Sequence, residues 1–330
     1  MVASFREKMF KSGELQQKGD FTKALTVRRE AFLDLRAMSG FSIAKEKGLR
    51  DLAWLQLEMG LRSYCLGLNL AHLLFSFAIA PRASFLAIKQ FWSLQMIIRD
   101  FRRRKCKKKN YVYVRKLADF RKNEAISVAL VGSGKIESKL GPRIDSYDLV
   151  ARVGITDLDH KGSSDRYGEK TNLIFLNGDQ TNKIERNNVQ EYINKQIFLI
   201  HRGTDEMFAP SPFVREVENQ DFIFSVSSLL TGVRALVDLM RIGNAEIHVY
   251  GMDFYSSRGT IWFPGYRDRE YAERMSEIKN RAGHDLLTSI TFAKYLLENT
   301  DGRIYFFDSR GIKWNPNVTF YANSMTKQFK

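Results

Sequence analysis

Seven short runs of apolar and β-branched residues lie between residues 126 and 307, and their spacing limits what this chain can become. They fall at 126–131, 148–153, 173–176, 196–200, 222–226, 246–250 and 303–307. Segments with helical period separate several of them, at 190–194, 233–241 and 285–297. Runs this short fit strands, and their nearly unbroken apolar character fits strands buried on both faces. Strands that alternate with helices build a mainly parallel sheet covered by those helices. The spacing therefore predicts an α/β domain over residues 126–330.

The region before it has a different texture. Residues 1–110 read as a helical region and 111–125 as a linker. Leu15, Phe21, Ala24, Leu25, Val27, Ala31, Phe32 and Leu35 recur at helical spacing after a plausible cap at Gly19-Asp20, and a second helix is expected over 45–59. Residues 63–81 are 19 residues without a charged side chain, the lower limit for a membrane span. Asn69, His72 and Ser76 interrupt that stretch, so a buried interface helix fits it equally well. An apolar segment at 85–101 then runs into Arg102-Arg103-Arg104-Lys105-Cys106-Lys107-Lys108-Lys109, seven positive charges in eight residues.

Charge separates the same two regions. Of the 52 Lys and Arg and the 37 Asp and Glu, 26 and 11 fall in residues 1–125, so the whole net charge of +15 belongs there and the remainder balances. A polybasic run beside an apolar helix fits adhesion to anionic lipid. Nucleic acid is not expected, because no aromatic residues interleave the run and no recognition motif accompanies it. Cys65 and Cys106 are too few for a disulfide framework or a zinc site, which points to a reducing compartment. Residues 1–19 are polar and lack the apolar core of a signal peptide. The expected location is cytoplasmic, peripheral to the inner face of a membrane.

The chemistry-bearing residues cluster at the ends of the strands. Gly132-Ser133-Gly134 follows the first run, as a phosphate-cradling turn would. Glu137 stands where a dinucleotide fingerprint needs its third glycine, and no Gly-Lys-Ser/Thr follows, so nicotinamide and ATP-loop readings are weak. Thr231-Gly232 opens a helix, whose N-terminal amides and partial positive charge suit a phosphate or carboxylate. The next run ends in Gly251-Met252-Asp253-Phe254-Tyr255. Asn177 follows the third run and reads either as a turn residue or as a sugar contact. His284, between Gly283 and Asp285 before a helix, is the best candidate base among five histidines, although a lone histidine is often structural. Asp157-Leu158-Asp159 has the form of a metal-holding pair but lies in a polar stretch and reads as surface acid.

Residues 126–308 resemble the sialyltransferases, both the animal type and a bacterial type. The long animal motif is echoed by Val128-Ala129-Leu130-Val131-Gly132-Ser133-Gly134, by Ile144-Asp145-Ser146-Tyr147-Asp148-Leu149-Val150-Ala151-Arg152, and by Tyr167-Gly168-Glu169-Lys170-Thr171. The short motif is echoed from Ser228 to Gly251 around Thr231-Gly232, and the very short motif by Gly283-His284-Asp285. The ending Gly251-Met252-Asp253-Phe254-Tyr255 looks more like the bacterial type.

The resemblance implies a Rossmann-like α/β/α sandwich, a GT-A-like variant, and a CMP-sugar donor carrying a sialic acid or related keto acid. It implies that Gly132, Ser133, Gly134, Arg152 and Asn177 line the donor site. Thr231 and Gly232 would hold the donor's phosphate or carboxylate, and Tyr255 would hydrogen-bond the leaving phosphate. His284 would deprotonate a hydroxyl of the glycan acceptor. No cofactor or metal is expected for the chemistry. This chain departs from both types at Ser133 and Gly154, where they place Asn, and from the animal type at Ser289, where that type has Glu. Those departures leave a second expectation open, a catalytically inactive domain that binds nucleotide or glycan.

Overall fold

The computed structural model describes residues 2–17, 23–24, 26–27, 30, 96–103, 125–154, 164–177, 186–201, 213–216, 230–252, 254 and 286–316. The expected strand at 222–226 and the apolar stretch at 63–81 lie outside the described residues. Among the described residues, no helix is long and apolar enough to cross a membrane.

Eight strands form one sheet: β1 (Ile126–Val131), β2 (Leu149–Val153), β3 (Leu173–Phe175), β4 (Phe198–His201), β5 (Val214–Glu216), β6 (Ala245–Tyr250), β7 (Ile304–Phe307) and β8 (Lys313–Trp314). Their order is β5-β4-β3-β2-β1-β6-β7-β8. All pairings are parallel except β7 with β8. The described helices are α1 (Val2–Gln17), α2 (Gly141–Asp145), α3 (Ser164–Tyr167), α4 (Arg186–Asn194), α5 (Thr231–Met240) and α6 (Leu286–Glu298), with a further helical segment at 96–102.

Alternation along the strands sends side chains into two layers. Val128, Leu130, Leu149, Ala151, Val153, Ile247, Val249, Ile304 and Phe306 pack in one core with residues of α5 and α6. Ala129, Val131, Val150, Tyr250 and Phe307 point the other way, toward Ile136, Leu140, Ile144, Tyr147 and Tyr167. Ile174 and Leu199 continue that second layer against Tyr192 of α4. Helices thus cover both faces, and the fold is an α/β/α sandwich as the alternation predicts. Each fully buried Leu or Ile of the central strands contributes about 1.5–3 kcal/mol of transfer free energy.

The first core also takes in Ile97, Ile98 and Phe101. The Arg303 guanidinium lies 3.8 Å from the Phe101 ring centroid while its Nη1 donates to the Gly243 and Ala245 carbonyls. Residues assigned from sequence to the basic helical region therefore help to build the core of the sheet. At the end of that segment Arg102 pairs with Asp301, an exposed contact of 3.2 Å.

The strand order fixes where a ligand can sit. The chain leaves β1 toward β2 on one side, and leaves β6 toward β7 on the other. β1 and β6 are neighbours. Connections that diverge from adjacent parallel strands open a crevice at their C-terminal ends, the topological switch point.

Candidate active site at the β1/β6 switch point

The turn after β1 and the turn after β6 touch through their backbones. The Gly132 N–H donates to the Tyr250 carbonyl at 2.7 Å, and the Gly134 N–H to the Gly251 carbonyl at 2.7 Å. A side chain at Gly132 would run into the Gly251 carbonyl. At Gly251, where φ is +59°, it would meet the Gly132 and Gly134 carbonyls at 2.9 and 3.0 Å. Both glycines are thus required by strand-end packing. The amides of Gly132 and Gly134 are spent within the fold. Those of Ser133 and Lys135 carry no partner among the described residues.

α5 brings the second set of amides to the same place. Its N-cap, Leu230, is extended (φ −53°, ψ 137°) and makes no side-chain cap. Val233 and Arg234 donate to the Leu230 carbonyl, which leaves Thr231 and Gly232 as the first amides of the helix. Gly232 faces Met252, and an added Cβ would collide with the Met252 methyl and lie 3.7 Å from Val153. Met252 also packs its amide against Gly132. The glycine turn, the start of α5 and the strand end of β6 therefore converge on one residue. Asn177 lies half-buried at the same edge of the sheet, just past Leu176, whose N–H donates to Ile200.

The hairpin between β7 and β8 holds the residues that follow the glycine turn. The Ser309 carbonyl accepts the Glu137 and Ser138 amides at 2.7 and 3.3 Å. Asp308 Oδ1 accepts the amides of Arg310 and Ile312, which fixes the turn. Lys135 pairs with Glu137 at 2.9 Å, and this hydrogen bond holds the Glu137 carboxyl below its ordinary range. Beyond Met252, Phe254 adopts a left-handed φ of +52°. An aromatic residue there is strained by about 1–3 kcal/mol, offset by burial of its ring beside Phe306 and Trp314.

Arg152 makes contacts of another kind. It is 5% exposed. Nε donates to Thr171 Oγ1 at 2.8 Å, and Nη2 to the carbonyls of Tyr167, Gly168 and Lys170 at 3.0, 3.0 and 2.9 Å. Burial lowers its pKa to about 10, against the pull of Asp145, so it stays charged at neutral pH. The Tyr167 hydroxyl in turn donates to the Gly134 carbonyl at 3.2 Å and accepts from the Ile136 N–H at 3.0 Å. Sequence reasoning gave Tyr167 no role, because its partner lies 33 residues upstream. Met252 was named only as part of the strand end, and Ser309 not at all, because each acts through its backbone or by contact.

The structure thus brings Gly132, Ser133, Gly134, Thr231 and Gly232 together, places Asn177 at the same edge, and ties Arg152 to the loop at 167–171. His284, Tyr255 and the acidic pair Asp157 and Asp159 lie outside the described residues. No group of His, Cys, Asp and Glu suited to a metal occurs among the described residues.

No protein-family model matches this chain, and no curated protein matches it. Among solved structures it is similar to a mammalian sialyltransferase in complex with Gal-beta-1-3GalNAc-ortho-nitrophenol, at 15% identity and a TM-score of 0.31 over 67% of this chain and 85% of that one. It is also similar to a second structure of a mammalian sialyltransferase, at 15% identity and a TM-score of 0.33 over 65% and 78% of the two chains. The fold assignment rests on the sheet order itself.

Proposed function

We propose that this protein is an inverting glycosyltransferase that takes a sialic acid or related keto acid from a CMP-sugar to a hydroxyl of a glycan. The observation that carries the reading is the convergence on Met252. Segments that resemble the long and the short sialyltransferase motifs (the glycine turn, the Thr231-Gly232 helix start and the strand end at Gly251-Met252) meet at the switch point of the sheet. The amides of Thr231 and Gly232, the first of α5, with the partial positive charge of that helix end, would receive the donor's phosphate or carboxylate. Ser133 and Asn177 would contact cytidine and sugar.

His284 would take the proton of the acceptor hydroxyl as its oxygen attacks the anomeric carbon. The bond from that carbon to the phosphate oxygen breaks on the opposite face, and its electron pair leaves with CMP. Tyr255 would donate a hydrogen bond to that phosphate. Charge grows on the phosphate in the transition state, so fixed donors aimed there accelerate the step. The test is CMP release from CMP-sialic acid across a panel of glycan acceptors. His284→Ala should lower kcat by about 100-fold or more with little change in donor KM. An unchanged kcat would remove His284 as the base.

Ser133 and Gly154 favour a second reading, binding without turnover. Gly154 has φ +93°, a backbone conformation that asparagine tolerates better than most residues, but it brings no amide side chain. CMP binding without release of CMP, on every acceptor tried, would select that reading.

A further inference from the structure

We propose that Arg152 and Tyr167 are positioning residues that set the shape of the glycine turn, and through it the donor site. This rests on the donor reading above for its consequence, but not for its geometry. The segment from Tyr167 to Thr171 is held from two sides with matched polarity. The Arg152 guanidinium takes three carbonyls, those of Tyr167, Gly168 and Lys170. The Asp145 carboxylate takes the Glu169 and Lys170 amides at 2.9 to 3.0 Å. Gly168, at φ +72°, is pressed against the same carboxylate, so any larger side chain would displace it. Lys170 Nζ donates to the Tyr147 carbonyl and closes the assembly on the start of β2.

The loop held in this way delivers one buried hydroxyl. Tyr167 is 5% exposed, and its Oη bridges the glycine turn from Gly134 to Ile136, as donor to one and acceptor from the other. The Gly134 and Ile136 groups that Tyr167 engages flank Lys135, and Ser133 precedes them. With the amides of Gly132, Gly134, Ile136, Glu137 and Ser138 all bonded within the fold, the turn has two free amides left, at Ser133 and Lys135 among the described residues. Tyr167 therefore decides how those two are presented at the crevice. Arg152 acts one step further back, by fixing the backbone that carries Tyr167.

Tyr167→Phe tests this directly, because it keeps the ring and removes only the bridging hydroxyl. Amide hydrogen exchange over residues 133–137 should accelerate about tenfold or more at the bonded amides of Gly134, Ile136 and Glu137, while β6 and α5 exchange as in the wild type. CMP affinity should fall about fivefold to tenfold, with the loss in donor KM exceeding that in kcat. Arg152→Lys should accelerate exchange at 167–171 as well as at 133–137, since an ammonium cannot span the three carbonyls and Thr171. Unchanged exchange at 133–137 in Tyr167→Phe would overturn the proposal. So would acceleration spread evenly over the sheet, the mark of a residue that only stabilises. If wild-type protein does not bind CMP, the donor reading fails, and the exchange pattern still decides the clamp.

Discussion

On one face of the sheet, α5 and α6 close a largely dry layer of Leu130, Ile247, Leu236, Phe292 and Phe306, which also holds Arg303 and the buried Asp238, paired with Arg215. On the other, aromatic and charged side chains share the space with the apolar ones. Tyr147 Oη bonds His248 Nδ1 at 2.6 Å and Tyr250 Oη at 2.7 Å, and His248 Nε2 reaches Glu246 at 2.9 Å. Arg143 lies 4.8 Å from the Phe307 ring, which stacks on Tyr250 at 4.8 Å. Arg152, Asp145 and Tyr167 occupy the same side. The dry face supplies transfer free energy, which depends on area and little on direction. The polar face supplies directed bonds, which add little net stability each but fix geometry and are costly to leave unmade. The turn that meets the crevice is therefore fastened from the face that specifies position, while the opposite face keeps the sheet folded.

That division predicts a graded response. Phe306→Ala opens a cavity beside Phe254 and Trp314 and should cost about 3–5 kcal/mol, read as a lower denaturant midpoint with an unchanged slope. A loss below about 1 kcal/mol would show that the two faces do not differ in this way. Tyr147→Phe keeps the ring but leaves the buried Tyr250 hydroxyl and the half-buried His248 Nδ1 short of a partner, and should cost about 1–3 kcal/mol. A cost equal to that of Phe306→Ala would mean that the polar face carries as much of the stability as the dry one.

The smallest effect is the dependence on pH. Burial lowers the His248 pKa, against Glu246, which pulls it up, while Arg143 and Lys313 push it further down. The folded protein therefore keeps this histidine neutral to lower pH than the unfolded chain, which protonates it below about pH 6.5. The unfolded state binds more protons there, so the contribution is present above pH 6.5 and is lost as pH falls through the lowered folded value. Melting temperature should drop between pH 7 and pH 5, and the drop should be smaller in His248→Gln. An identical drop in both proteins would remove His248 as its source.

How much of this the sequence revealed follows from what each element rests on. β1 and β6 are unmistakable, since strands covered on both faces read as continuous apolar runs, and the expected 126–131 and 246–250 match Ile126–Val131 and Ala245–Tyr250 closely. Edge strands carry no such signal: β5 and β8 have three and two residues, and neither was expected. α2 and α3 are five and four residues long, too short to show a period. The apolar residues Ile97, Ile98 and Phe101 were visible, but their place in the core of the sheet was not, because it depends on contacts with residues far along the chain. The resemblance puts Arg152 in the donor site, but its bonds to the loop at 167–171 could not be read, because three of its acceptors are main-chain carbonyls, which every residue carries and no sequence displays. The glycines at 132 and 251 were legible as turns, while their need for each other appears only when the two strands lie side by side.

The account stands or falls on whether α5 receives the phosphate of a CMP-sugar. Calorimetric binding of CMP and CMP-sialic acid, without metal, to wild type and to Thr231→Pro tests it most directly. Proline suits the first position of a helix, and the extended Leu230 suits the residue before it, so the change removes one amide donor and leaves the helix intact. The account predicts binding in the micromolar range that weakens about tenfold or more in Thr231→Pro, at equal melting temperature. No binding of either nucleotide to the wild type, or equal binding by both proteins, would contradict it.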